Sequence, residues 1–196
     1  MAARRGEEAK VAKKKSHSFR ILDIGISLES RVSSFEFGKR EGSEASMTHT
    51  VLFLCTGNYY RSRFAEIVFN HLATAAGIDW RADSAGLATE LGIFNVGPIS
   101  KDTIKRARAM GIDCNSFERL PKQCTEEALR NATRVIALKE DEHRQMLENR
   151  HPEWPDKVEY WHVHDLDLST ADHALGQIEK LVRGLIAEVS GNGACP

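Results

Sequence analysis

The sequence predicts an α/β fold in three layers, with a central parallel four-stranded sheet, helices on both faces and a functional loop after the first strand. Three observations carry this expectation. Strand-like and helix-like patterns alternate from Met47 onward. The short apolar run Val51-Leu-Phe-Leu-Cys55 has the character of a strand buried on both faces. A glycine-bearing segment then joins that run directly to an amphipathic helical pattern.

The elements follow in order. Thr50 to Cys55 is the first strand. Phe64, Ile67, Val68 and Leu72 recur by three and four, which predicts a helix closed by Gly77. Trp80, Ala82 and Ser84 alternate as a second strand does. Residues 87–99 carry glycines and a proline and read as a loop. Ser100 is placed to cap a helix that runs through Met110 and stops at Gly111. Thr125 starts a short helix, Arg134 to Leu138 is a third strand, and Glu140 to Arg150 is helical. Val158 to Val163 is a fourth strand. Leu175, Ile178, Leu181, Val182, Leu185, Ile186 and Val189 share one stripe of a final helix, which reads as core.

Composition bounds the function. The chain has 196 residues, 41% hydrophobic and 28% charged, which excludes disorder throughout and a fibrous repeat. No apolar run approaches the ~20 residues that span a bilayer, so no stable membrane insertion is expected. The net charge of −1 does not tune the whole protein for polyanions, and no nucleic acid is expected on the core domain. Residues 1–46 hold ten Lys/Arg against seven Asp/Glu, whereas residues 47–196 hold seventeen against twenty-one. The chain therefore divides near residue 47. Residues 1–46 read as a basic extension, disordered or non-native, either a solvated tail or a polybasic arm. Within it, Ile21 to Leu28 could form an isolated short strand. Cysteines stand at 55, 114, 124 and 195, too far apart for a CxxC pair, and with no apolar secretion segment they imply a reducing, cytoplasmic setting.

The chemistry is expected in Cys55-Thr56-Gly57-Asn58-Tyr59-Tyr60-Arg61-Ser62, between the first strand and the first helix. Ligands of open α/β sheets bind beyond the carboxyl ends of strands. A loop there aims backbone N–H groups and the positive end of a helix at an anion. Arg61 adds a planar fork for two phosphate oxygens. Cys55, at the rim of the same positive field, is expected as a thiolate, a nucleophile aimed at the central atom of a bound tetrahedral anion. Gly57 would permit close approach or a positive φ. Ser62 can donate a hydrogen bond to the sulfur.

Cys55-x5-Arg61-Ser62 after the apolar strand, with Gly57-Asn58 inside it, resembles the phosphate loop of the low-molecular-weight protein tyrosine phosphatases. The resemblance spans about residues 50–190 and includes Asp83-Ser84-Ala85-Gly86, Gly111-Ile112-Asp113 and Trp161-x-Val163-x-Asp165. It implies a phosphocysteine mechanism without metal or other cofactor. In it Cys55 is the nucleophile, and Arg61 with the amides of residues 56–61 binds phosphate. Asp165 is the general acid, and Ser84 braces Asn58. It further implies phosphotyrosine proteins or small aryl phosphates as substrates, and a monomer or weak homodimer.

Several positions depart from the family pattern. Leu166 stands where proline follows the acid, which leaves Asp167 as a rival acid. Arg63 stands where proline follows Ser62. Tyr60 replaces a second cysteine that could trap oxidised Cys55, and Lys139 replaces an aspartate after the third strand. The aromatic pair that lines the family's cleft is absent, so Tyr59 and Phe94 are expected to wall it. Other readings stay open: arsenate reduction, which would need a second reactive cysteine; an arginine phosphatase, whose loop tends to carry threonine where Tyr59 stands; and a phosphate-binding module without turnover. His162-x-His164 could bind a metal, but no second ligand cluster supports it.

Overall fold

The computed structural model describes residues 48–163 and 170–191. Its elements are β1 (His49–Cys55), α1 (Arg61–Ala76), β2 (Trp80–Gly86), α2 (Lys101–Ala109), α3 (Glu126–Asn131), β3 (Arg134–Ala137), α4 (Glu140–Arg150), β4 (Glu159–Tyr160) and α5 (Ala171–Val189). The extension expected over residues 1–46 lies outside the described residues, as do His164, Asp165, Leu166, Asp167 and Cys195.

The four strands form one parallel sheet in the order β2-β1-β3-β4. β1 is an inner strand, and its side chains alternate between two buried layers. Val51 and Phe53 join α1 and α5 through Phe64, Ile67, Val68, Leu175, Ile178 and Val182. Leu52 and Leu54 face the other way, onto Leu129 of α3 and Leu147 of α4. This is why the first strand is apolar at every position from Val51 to Cys55 rather than at every second one. The three-layer expectation holds, and so does the reading of the α5 stripe as core.

Local signals set most boundaries. Gly77 closes α1 with a left-handed φ of 66°, which lets Ile78 N–H reach the Ala73 carbonyl. Ser100, Thr125 and Thr170 each cap the helix that follows by accepting a backbone N–H. Two expectations need correction. The fourth strand is only Glu159–Tyr160, because beyond it Trp161 and Val163 donate singly to the carbonyls of Ala137 and Leu138 while His162 turns to face Lys139 in an isolated bridge. The loop over residues 87–99 contains a 3₁₀ turn, Thr89–Gly92.

Candidate active site

The phosphate loop leaves the carboxyl end of β1 and enters α1 within five residues, 56–60. The amides of Gly57, Asn58 and Tyr59 donate no hydrogen bond among the described residues. Tyr60 gives α1 no side-chain cap, and the first turn holds no acidic residue. The positive end of the helix is thus left open toward the loop. Asn58 takes the left-handed conformation, φ 48°, which turns successive N–H groups toward one centre. This corrects the expectation for Gly57: the positive φ falls on Asn58, and a Cβ at Gly57 would meet only Asn95 Nδ2 at 3.9 Å. The glycine the loop requires is Gly86, where a Cβ would lie 2.9 Å from the Thr56 carbonyl oxygen and 3.0 Å from the Asn58 nitrogen. β2 can run this close under the loop only without a side chain.

Asn58 is fully buried and anchors the loop from beneath. Its amide donates to Ser84 Oγ at 2.8 Å and to Ser62 Oγ at 3.1 Å. Its carbonyl accepts from Arg119 Nη1 and from the Lys122 amide. Ser84 is thus in direct contact with Asn58, the residue that the resemblance assigns it to brace. Ser62 Oγ also lies 3.0 Å from Cys55 Sγ, so one hydroxyl touches both the loop anchor and the sulfur.

Behind the loop sits a cluster that the sequence did not reveal. Arg63, buried on α1, donates to the carbonyls of Phe117 and Arg119. That clasp holds the backbone from which Arg119 reaches Asn58, Ser84 and Glu66. Glu66 in turn accepts from Ser84 Oγ at 2.6 Å. Burial first, and the neighbouring Arg119 second, lower the Arg63 guanidinium to about 10, so it stays cationic at neutral pH. The residue that replaces the family's proline thus works as a strut. An Arg63-x2-Glu66 spacing at i,i+3 was the available signal.

Arg61 is 1% exposed and points along the loop's other flank. Its two terminal nitrogens lie 3.2 Å from Glu142 Oε2, and Nη2 also reaches Oε1 at 3.4 Å. Thr56 Oγ1 donates to the same carboxylate. Burial pushes the Glu142 carboxyl up, but Arg61 and Thr56 outweigh it and hold it below the usual carboxylate range. Next to it, His143 is fully buried. Its Nδ1 accepts from the Lys139 amide at 3.1 Å, which leaves the proton on Nε2, 3.4 Å from Thr56 Oγ1. Burial, and then the Arg61 charge, push His143 down to about 3. Glu142 and His143 were missed by sequence reading, although they begin one turn past the end of β3, at the same sheet edge as the loop.

Cys55, Gly57, Tyr59, Tyr60, Arg61, Asn95 and Ser100 line a cavity of about 150 Å³ over the loop. Tyr59 is a wall as expected, and its hydroxyl donates to the Val96 carbonyl at 2.8 Å. Phe94 is not a wall: it is 88% exposed, and Asn95 takes the place assigned to it. Thr56, Gly57, Asn58, Tyr59, Tyr60, Arg61 and Ser62 are thus gathered as one structure, with Cys55 at its base. The expected acid, Asp165, and its rival Asp167 lie outside the described residues. His162 is exposed at the surface. Among the described residues no group of three His, Cys, Asp or Glu side chains could hold a metal ion. None of the described helices is long and apolar enough to cross a membrane.

Comparison with known proteins agrees with this geometry. Residues 50–193 match the family described as low molecular weight phosphotyrosine protein phosphatase. The protein-arginine-phosphatase of Bacillus subtilis (strain 168) is 28% identical over 108 residues, 55% of this chain and 67% of that protein. The low molecular weight protein-tyrosine-phosphatase YfkJ of the same strain is 35% identical over 92 residues, 45% of this chain and 55% of that protein. The crystal structure of the low molecular weight protein tyrosine phosphatase from T. tengcongensis is 30% identical, with a TM-score of 0.59, covering 71% of this chain and 99% of that one.

Proposed function

We propose that this chain, a member of the low molecular weight phosphotyrosine protein phosphatase family, hydrolyses phosphomonoesters through a phosphocysteine intermediate. One observation carries the proposal: Cys55 Sγ lies 3.0 Å from the Ser62 hydroxyl and lines one cavity with buried Arg61, beside a loop whose Gly57, Asn58 and Tyr59 amides donate no hydrogen bond among the described residues. The Cys55 thiolate attacks phosphorus, an S–P bond forms, and the ester P–O bond breaks. The amides and Arg61 hold the three equatorial oxygens, where charge must be stabilised during transfer. Ser62 Oγ–H donates to the sulfur, which favours its departure in the second step. Asp165 protonates the leaving oxygen and then activates the water that releases inorganic phosphate. Asp167 is the alternative for that role.

Glu142 does not compete with the substrate for charge alone. It grips the terminal nitrogens of Arg61 from α4 and fixes the plane of the guanidinium.

The walls favour an aryl phosphate, and we assign phosphotyrosine proteins as the substrate. Tyr59, pinned through Val96, gives the cavity mouth a fixed aromatic side. Arsenate reduction would require a second reactive thiol. Among the described residues, burial pushes Cys124 up to about 12 and raises Cys114 as well, so neither supplies one. The test is hydrolysis of para-nitrophenyl phosphate without metal, by wild type and Cys55→Ser, with vanadate as inhibitor. Turnover by wild type alone is the expected result. Turnover retained by Cys55→Ser would refute the mechanism. Asp165→Ala should slow poor leaving groups most, whereas an equal loss for all substrates would move the acid role to Asp167.

A further inference from the structure

A second hollow adjoins the phosphate cavity. It has a volume of about 570 Å³ and lies between residues 96–99 and the outer face of α2. The two hollows share a wall. Asn95 and Ser100 line the first, and Val96 to Ile99, the residues between them, line the second. That wall is fixed at both ends: Tyr59 donates through its hydroxyl to the Val96 carbonyl, and its own carbonyl accepts from the Ser100 amide. A chain whose phosphoryl group entered the first hollow would lie along the second.

The groove has an apolar floor and a cationic rim. Ile99 and Ile104 form the floor, and Val96 stands 76% exposed at its edge. Lys101, Lys105 and Arg108 line one side, all exposed and all without an ion pair or side-chain hydrogen bond among the described residues. Among the described residues the only acidic group lining it is Glu118. Like charges at i,i+4 and i,i+3 on one helix face destabilise a helix by a few tenths of a kcal/mol. Here they stand together although residues 47–196 carry more acidic than basic side chains.

We infer that this groove holds an acidic segment next to the phosphorylated residue of a protein substrate, with one apolar side chain on the floor and Asp or Glu side chains against Lys101, Lys105 and Arg108. The inference rests on the phosphatase reading above and adds the substrate's flanking sequence to it.

The test compares two phosphotyrosine peptides, identical except that one flank carries three acidic residues in one peptide and three lysines in the other. Enzymes are wild type and the double variant Lys105→Glu, Arg108→Glu, neither residue being part of the phosphate site. Wild type should favour the acidic peptide in KM by about tenfold at low salt, as expected for a few exposed ion pairs acting together. Salt should erase the preference. The double variant should lose or invert it while hydrolysing para-nitrophenyl phosphate as wild type does. Equal KM for the two peptides, or a variant equally impaired on the small phosphate, would overturn the inference. So would a self-association of wild type that the double variant abolishes, since the groove would then hold a second copy. Should wild type hydrolyse no phosphomonoester, the activity reading fails. Tighter binding of the acidic peptide to Cys55→Ser, measured by fluorescence anisotropy, still decides the groove.

Discussion

Replacing His143 by glutamine should remove about 2 kcal/mol of the acid sensitivity of folding between about pH 7 and pH 5. The ring is fully buried beneath the phosphate loop, and its Nδ1 is committed as acceptor to the Lys139 amide at 3.1 Å. A second proton would have to go on that nitrogen, facing another N–H. Burial and the Arg61 charge therefore push His143 from 6.5 down to about 3. The unfolded chain takes up this proton below about 6.5, and the folded chain does not until about 3. The stability contributed by a neutral His143 is complete above the unfolded value and is lost as pH falls from there toward the folded one. Fully developed, the slope is about 1.4 kcal/mol per pH unit, and the curvature near 6.5 reduces the loss over the interval to about 2 kcal/mol. Glutamine keeps an acceptor for the Lys139 amide and does not titrate. Urea unfolding at half-unit steps of pH gives the assay, with an expected change of about 1 M in how far the midpoint falls. Only the pH dependence is compared, so a constant loss of stability in the variant does not affect the result. Parallel curves for wild type and variant would refute the reasoning.

Three further outcomes are expected. Gly86→Ala should cost about 1–3 kcal/mol in thermal unfolding and lower kcat/KM on aryl phosphates, because its Cβ meets the backbone of Thr56 and Asn58 at 2.9 and 3.0 Å. A variant with unchanged melting and kinetics would show that the loop can shift freely. Glu142→Ala should lower kcat/KM by about tenfold to a hundredfold through loss of a charge-assisted grip on Arg61, and Glu142→Gln should recover part of it; steady-state kinetics decide this, and full activity in the alanine variant would remove Glu142 from the site's support. Peroxide should inactivate the enzyme with poor recovery by added thiol, since Tyr60 stands where the family has a second cysteine and Cys114 and Cys124 hold their protons; complete recovery, with no sulfinic acid at Cys55 by mass spectrometry, would contradict it.

The sequence by itself determined the topology and the identity of the loop. Continuous apolarity in β1, the three-four spacing of α1 and α5, and the caps at Ser100, Thr125 and Gly77 are local signals that the packed fold does not override. Cys55, Arg61 and Ser62 were legible because eight consecutive residues carry them, and Ser84 was singled out through the resemblance. Tertiary structure alone decided what holds that loop. Arg63, Glu66 and Arg119 meet behind Asn58, and Glu142 and His143 come to Arg61 and Thr56 from α4, more than eighty residues away in the chain. No periodicity predicts such encounters, since each is fixed by the parallel register that sets Cys55 beside Gly86 and β3 beside β1. Gly57 and Phe94 show the same limit from the other side. Their residue types suited the roles expected of them, but the backbone placed the positive φ on Asn58 and turned Phe94 out to solvent.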